Sequence, residues 1–403
     1  AFDFHVAWFH RRKQPVSVRF IKHIALSVVF LSSFLTASGR DTLLYHNVGL
    51  EFSAGYNLPS HGYYNGYNPL NKPLYANSLV HLKYSFGFQP GTCLGDVYPN
   101  VTQGIGVAGC TFYSHQLMGT PFLLYVFQNA QIYRLKPGIS IDYAWELGTS
   151  YGWRQSGLIA TRSNIYINVG LKMSYDVSEL ITLDIGPEFT HCSNGDTKFP
   201  NGGANMFNMK VGVTGHLVKE RQSSGRSVIE AYESELKDKS FVKRMHCDLV
   251  LFGGYRAGKV VGRKSYTINE PFPFWGLNLM PLYRLNRHFS AGVCMDVLTD
   301  RSADIYDVVY DGSTKEILSY SQPDILNQTA VGLALRGDIT MPIFTVGAGF
   351  GGFVLPSGNS LRGVYCIFSL KSFMTESLFL NISYRLSARN YTHNMMYGIG
   401  WRF

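Results

Sequence analysis

The sequence predicts an all-β protein, an antiparallel transmembrane β-barrel, on three observations. Apolar and polar residues alternate along many segments of the 403-residue chain. Aromatic residues are abundant, at 14%, while charged residues make up only 16%. Beyond residue 39, no apolar run reaches the length of about 20 residues that a membrane helix needs. Barrel strands place apolar side chains toward lipid and polar ones toward the lumen, which accounts for the alternation.

Residues 1–39 are interpreted as a secretory signal peptide with upstream residues before about Val18. An apolar run from Ile24 to Leu35 follows basic residues and precedes a short stretch of small residues. This order is typical of a signal peptide. We expect cleavage near Ala37 or Gly39, so the segment is excluded from the fold.

The alternation predicts sixteen strands separated by turn-forming residues. The clearest is 139–153, where Tyr143 and Trp145 share one face and Glu146 lies on the other. Short turns alternate with long polar loops, so both chain ends are expected on the periplasmic side. The predicted strands span residues 44–56, 79–88, 102–114, 121–134, 139–153, 165–177, 181–194, 204–217, 246–258, 272–286, 289–299, 327–339, 343–354, 361–371, 377–388 and 393–403.

A charged stretch, residues 219–244, divides these strands into two sets of eight. We interpret it as a periplasmic linker between an N-terminal half, residues 40–218, and a C-terminal half, residues 245–403. Either one barrel of about sixteen strands forms or two eight-stranded barrels are joined by the linker. The single barrel is favoured. Phe403, the aromatic residue that ends the last predicted strand, resembles an outer-membrane assembly signal, and a single signal suggests that the chain inserts into the membrane as one unit.

Cysteine spacing and net charge limit the cofactors and partners that the sequence predicts. The six cysteines are scattered singly, without the CxxC spacing of a metal site or a compact disulfide framework, so no metal and no cofactor is predicted. The net charge of +9 favours an anionic partner at the membrane. Nucleic acid is not expected as a partner, and the oligomeric state is left open.

Chemistry-bearing residues gather at the end of the predicted strand 181–194. With a period of two, His191 and Ser193 fall on its apolar face, whereas Cys192 and Glu188 fall on the polar face. A serine becomes a nucleophile when a base lies beside it, which this spacing allows. The parity predicts that both side chains face lipid near the extracellular rim. The noncatalytic alternative is a polar histidine at the membrane interface, followed by an ordinary loop.

At these residues the chain resembles the lipid A 3-O-deacylase (PagL-type) family and its acyloxyacyl hydrolase-like relatives. The resemblance is carried by His191-Cys192-Ser193-Asn194 and by Pro200-Asn201-Gly202-Gly203, against a family pattern of His-x-Ser-Asn followed by Pro-Asn-x-Gly. It implies a carboxylic ester hydrolase in the outer membrane of a Gram-negative bacterium. Its partner would be lipid A or lipopolysaccharide in the outer leaflet, and its reaction the removal of an ester-linked acyl chain. The residues beyond about 245 form a half that the smallest members lack.

The resemblance also implies the site residues. Ser193 would be the nucleophile and His191 the base, while the family's acidic position falls on Asn205. An amide can orient a histidine but does not stabilise an imidazolium as a carboxylate does. The candidate donors to the developing oxyanion are Asn194, Gly195, Asn201 and Gly202.

The sequence is therefore compatible with two functions. One is an esterase that remodels lipopolysaccharide by a Ser-His mechanism. The alternative is a noncatalytic outer-membrane channel or structural barrel with a degenerate site.

Overall fold

The computed structural model describes residues 44–218, 244–260, 266–310, 317–355, 358–388 and 393–403. The predicted signal segment, 1–39, and all but the last residue of the predicted linker, 219–244, lie outside these ranges. No helix among the described residues is both long and apolar enough to cross a bilayer.

The first barrel closes from eight antiparallel strands. Each strand pairs with the next one in sequence, and the eighth returns to the first, with Leu50 opposite Val213. The strands are β1 (Leu44–Asn57), β2 (Ala76–Phe88), β3 (Val101–Thr111), β4 (Gly119–Lys136), β5 (Ile139–Trp153), β6 (Ser163–Asp176), β7 (Ile181–Ser193) and β8 (Ala204–Val218). Two short helices, Cys93–Val97 and His115–Met118, lie in its connections.

The second barrel also closes from eight antiparallel strands, with the last strand paired to β9. Two further strands form a separate hairpin between β11 and β14. The strands are β9 (Met245–Val260), β10 (Tyr266–Arg284), β11 (Phe289–Asp300), β12 (Tyr306–Tyr310), β13 (Ile317–Ser321), β14 (Thr329–Thr340), β15 (Phe344–Leu355), β16 (Val364–Phe373), β17 (Leu378–Ser387) and β18 (Asn394–Arg402).

The all-β antiparallel class is confirmed, and of the two predicted arrangements the pair of eight-stranded barrels is the one that forms. The single barrel of about sixteen strands, which the terminal aromatic signal favoured, is wrong. The outer edge of β8 pairs with β1 rather than with β9, and the edge of β18 pairs with β9.

The alternation located the barrel strands closely. Their ends agree with the predicted ones within about three residues, except that β10 begins at Tyr266 rather than at 272. The hairpin of β12 and β13 was missed, because its strands are only five residues each and lie in a polar stretch that reads as a loop.

The lumen of the first barrel is filled by paired charges. Lys83 Nζ lies 2.6 Å from Glu51 and 2.7 Å from Glu146, and Lys210 Nζ lies 2.6 Å from Glu188. All five side chains are buried. Buried charges are tolerated when they are paired, so these residues close the interior of the barrel. The lumen position predicted for Glu188 is confirmed.

An apolar cluster fills the lumen toward the end of the barrel that carries the long loops. Tyr64, Tyr166 and Cys192 belong to it, and each is at most 1% exposed. The outward side chains of the same strands, such as Leu183 and Ile185, are exposed and apolar. This is the pattern of a barrel with lipid outside and a packed interior.

Candidate active site

The three residues predicted as the catalytic set meet where β7 ends and β8 begins. His191 and Asn205 are directly opposed across the two strands, and Ser193 follows two residues after His191. The His191 Nε2 atom lies 2.8 Å from Ser193 Oγ, and the Nδ1 atom lies 2.6 Å from Asn205 Oδ1. The structure thus brings all three into one hydrogen-bonded row.

The row fixes the tautomer of the histidine. An amide oxygen only accepts hydrogen bonds, so Nδ1 carries the proton that His191 donates to Asn205. The Nε2 atom is then an acceptor and faces the Ser193 hydroxyl. Asn205 keeps its amide in this orientation because its Nδ2 atom donates to Ser60 Oγ at 3.2 Å. His191 needs this tautomer to act as the base that accepts the Ser193 proton.

The outward orientation predicted from strand parity agrees with the exposure of the side chains that share this face. Phe189 and Phe207, which share a face with His191, are 38% and 51% exposed on the outer surface. Ser193 lies on this face and is itself only 7% exposed. Cys192 points to the lumen and packs in the apolar cluster, so its thiol is separated from His191 by the wall of the barrel.

The loop between β7 and β8 is folded by its own asparagines. The Asn194 backbone N–H donates to Asn201 Oδ1 at 3.0 Å, and the Asn201 Nδ2 atom donates to Asp196 Oδ1 at 2.8 Å. The Asn194 Nδ2 atom donates to the Lys198 carbonyl at 2.7 Å. Both predicted oxyanion candidates with amide side chains therefore hold the loop in shape.

The two glycine candidates differ in what their backbone does. The Gly202 N–H donates to the Leu158 carbonyl at 2.7 Å and is engaged there. Gly195 is buried and left-handed, with φ of +64°, and within the described part of the chain its N–H makes no hydrogen bond. The Asn201 N–H likewise makes no hydrogen bond among the described residues, and of the two Gly195 is the nearer to Ser193 along the chain.

Gly203, which enters the sequence prediction only as part of a motif, and two residues that the sequence did not single out complete the site. Gly203 has φ of +64°, which favours glycine, and a Cβ there would lie 3.3 Å from the His191 Cε1 atom, a tight contact with the ring. The buried Tyr64 hydroxyl donates to the Gly203 carbonyl at 3.0 Å. Tyr64 and Ser60 come from the loop after β1. A prediction that β8 pairs with β1 would have placed this loop beside the site.

One group in the first barrel has the composition of a metal site. Glu51, His81 and Glu146 offer ligand atoms that lie within 4.8 Å of one another. Lys83 contacts both carboxylates, however, and Lys210 lies 3.1 Å from Glu51. Because two ammonium groups already supply the positive charge, these carboxylates form an ion-pair network rather than a cation site.

The chain is similar in architecture to solved outer-membrane proteins at very low sequence identity. Neisserial surface protein A is 11% identical, covering 44% of this chain and 96% of its own, with a TM-score of 0.28. The NanC porin is 10% identical, covering 88% and 98%, with a TM-score of 0.15. An outer membrane channel from Pseudomonas putida F1 is 10% identical, covering 89% and 94%, with a TM-score of 0.19. The barrel assignment rests on the strand pairing itself.

Comparison with curated proteins returned no relative. Two family models match instead, one to each barrel. Residues 42–214 match the lipid A 3-O-deacylase (PagL) model, and residues 245–403 match the model of the acyloxyacyl hydrolase C-terminal domain. Together the two matches span most of the chain and include the whole His191–Asn205 site. The chain therefore belongs to the lipid A 3-O-deacylase (PagL) family of bacterial outer-membrane proteins.

Proposed function

We propose that this protein is an esterase in the outer membrane of a Gram-negative bacterium, and that it hydrolyses an ester-linked acyl chain of lipid A with Ser193 as nucleophile. The observation that carries the proposal is the row from Asn205 through His191 to Ser193, with distances of 2.6 and 2.8 Å. Such a row is the arrangement that activates a serine for acyl transfer.

The reaction follows from the protonation state of the row. The Ser193 oxygen attacks the ester carbonyl while His191 Nε2 accepts its proton. The tetrahedral intermediate then collapses, the alcohol oxygen of the ester leaves with the proton from His191, and the acyl chain stays on Ser193. Water, activated by the same nitrogen, releases the fatty acid and restores the serine. The Gly195 N–H is our choice of oxyanion donor.

The position of the site suits a lipid substrate. Ser193 and His191 lie on the outer surface of the barrel, at the end with the long loops, which in outer-membrane barrels is extracellular. Apolar side chains below them, such as Phe189 and Phe207, offer a surface for acyl chains. Lipid A in the outer leaflet would reach this face without leaving the membrane.

The amide at the family's acidic position supports activity better than the sequence suggests. In serine proteases, an asparagine in place of the aspartate holds the histidine in the wrong tautomer and costs about 10⁴ in rate. Here Ser60 accepts from the Asn205 Nδ2 atom, so the amide oxygen faces His191 and the tautomer is correct. What Asn205 lacks is the negative charge that stabilises the imidazolium, so we expect a slow enzyme rather than an inactive one.

The alternative of a conducting channel finds less support. Eight strands enclose an interior that side chains fill. A cavity of about 550 Å³ opens at the short-turn end of the first barrel, and Glu51 and Lys83 lie at its inner boundary. The paired charges and the apolar cluster occupy the lumen beyond it. A noncatalytic structural barrel is then the competing function.

Mass spectrometry of lipid A decides between these functions. We expect lipid A from cells that make the protein to lose the mass of one ester-linked acyl chain, with release of the corresponding fatty acid. Cells that make a folded protein and retain unchanged lipid A would support the structural barrel. The mass of the released acid would identify the chain.

A further inference from the structure

The second barrel contacts the loop of the site through an exposed strand edge. Strand β18 pairs with β9 only up to the pair Tyr397 and Gly253, so β9 continues beyond its partner. In this overhang the Ala257 N–H donates to the Asp196 carbonyl at 2.8 Å. Edge strands need a cover for their backbone groups, and here the loop of the first barrel provides it.

Met395 packs on the same loop. A Cβ placed on Gly195 would lie 3.2 Å from the Met395 Cβ and 3.1 Å from the Ile165 Cδ1 atom, so the backbone there is wedged between the two barrels. Met395 is only 6% exposed, whereas Ile399 on the same outward face of β18 is 58% exposed. The first barrel is therefore what buries Met395.

A chain of hydrogen bonds leads from this contact to the residue beside the nucleophile. Ala257 holds the Asp196 carbonyl, and the Asp196 carboxylate accepts from Asn201 Nδ2 at 2.8 Å. Asn201 Oδ1 in turn accepts from the Asn194 backbone N–H at 3.0 Å. Asn194 directly follows Ser193, so the second barrel is linked to the nucleophile through three hydrogen bonds.

Further contacts place the second barrel against β5. The Tyr143 hydroxyl lies 3.1 Å from Met341 Sδ, and the rings of Trp145 and Phe344 meet edge to face at 5.2 Å between centroids. On the other side of the site, Phe207 of β8 remains 51% exposed. The second barrel thus contacts β5 at Tyr143 and Trp145, while lipid has access to the site from the β8 side.

We infer that the C-terminal barrel is a working part of the deacylase site, in which Met395 and Ala257 position the loop that carries the Gly195 N–H. Met395 is a positioning residue, since it acts through Gly195. The inference rests on the proposed function and gives the C-terminal half a role in it. It also assigns the acyl chain to the open face formed by β7 and β8.

The test compares Met395→Ala with two controls in the purified full-length protein, using lipid A as substrate. Misplacing a reacting group by about 1 Å can cost a factor of 10² in rate, so a partly released loop should lower kcat about tenfold. The KM should change less than about twofold, because the open face is untouched. Met395→Leu should restore kcat, and Ile399→Ala, on the same face of β18, should match the wild type. Heat-modifiable electrophoretic mobility checks that each variant is folded.

Hydrogen exchange of the loop gives a readout that does not need turnover. In a Ser193→Ala background, Met395→Ala should increase amide exchange within 194–203, and Ile399→Ala should leave it unchanged. A wild-type kcat for Met395→Ala overturns the inference, whether or not exchange rises. An active Ser193→Ala protein would instead overturn the proposed nucleophile, while the exchange data would still report whether the second barrel holds the loop.

Discussion

His191 and Asn205 face each other directly across β7 and β8, and their side chains meet with the ring Nδ1 atom 2.6 Å from the amide oxygen. Their strand register brings the two side chains together, because opposed residues of an antiparallel pair have their Cβ atoms about 5 Å apart. The carboxylate that the resemblance implies at this position is thus replaced by a group that would keep the geometry without the charge.

Ser193→Ala should abolish release of fatty acid from lipid A. The substitution removes the nucleophilic oxygen and little packing, so folding should persist. Loss of the acyl chain is measured by mass spectrometry of lipid A, beside electrophoretic mobility as the test of folding. Cys192→Ala is the matched control, because the thiol lies in the lumen cluster and should be dispensable for catalysis. If Ser193→Ala remained active and Cys192→Ala were inactive, Cys192 would replace Ser193 as the proposed nucleophile.

Strand parity was enough to predict the face on which His191 and Ser193 lie, because the period of two depends only on local backbone geometry. Ser60 could not be found in that way. It meets Asn205 from 145 residues away, through the closure of β8 onto β1. A single large barrel would pair β1 with the last strand instead. The contact of Met395 with the loop depends in addition on how two closed barrels pack, which alternation does not encode.

Gly203→Ala should lower kcat strongly without loss of the fold. The residue has φ of +64°, which strains any other side chain, and its Cβ would press on the His191 ring at 3.3 Å. The rate of fatty acid release by the purified variant measures the effect, and about tenfold is expected. Gly109→Ala is the control, because a Cβ at that strand position meets no atom within 4 Å. Equal rates for the two variants would contradict this prediction, because the His191 ring would then tolerate a Cβ at position 203.

Lys210→Met should destabilise the first barrel. Lys210 contacts Glu51, Glu146 and Glu188 at 3.1, 3.0 and 2.6 Å, and its loss leaves buried carboxylates without a sufficient counter-charge. Removing one partner of a buried ion pair typically costs about 3–5 kcal/mol. Urea unfolding in detergent micelles measures the change, with Lys72→Met in an exposed loop as the control. If both variants unfold at the same urea concentration, the network contributes no net stability.

Asn205→Ala should lower kcat and leave KM nearly unchanged, since orientation of the histidine acts on the transition state more than on binding of the acyl chain. Asn205→Glu restores the family's carboxylate and should raise kcat above the wild type. Steady-state kinetics on lipid A measure both. A fully active Asn205→Ala protein would remove Asn205 from the mechanism. Asn205→Asp is the companion variant for the glutamate, because its shorter side chain tests charge without added length.

Ser60 and Asn205 should act on the rate as one unit. If Ser60 serves only to hold the amide, Ser60→Ala frees Asn205 to rotate and should lower kcat several-fold, with KM unchanged. Once Asn205 is alanine, removing the Ser60 hydroxyl should cost nothing further. A double-mutant cycle of Ser60→Ala and Asn205→Ala on kcat measures this coupling directly. Additive losses would mean that Ser60 acts on the site by another route. The Asn205→Asp background separates these two possibilities. It has no amide to orient, so Ser60→Ala should have no effect on kcat there if Ser60 acts only through the amide.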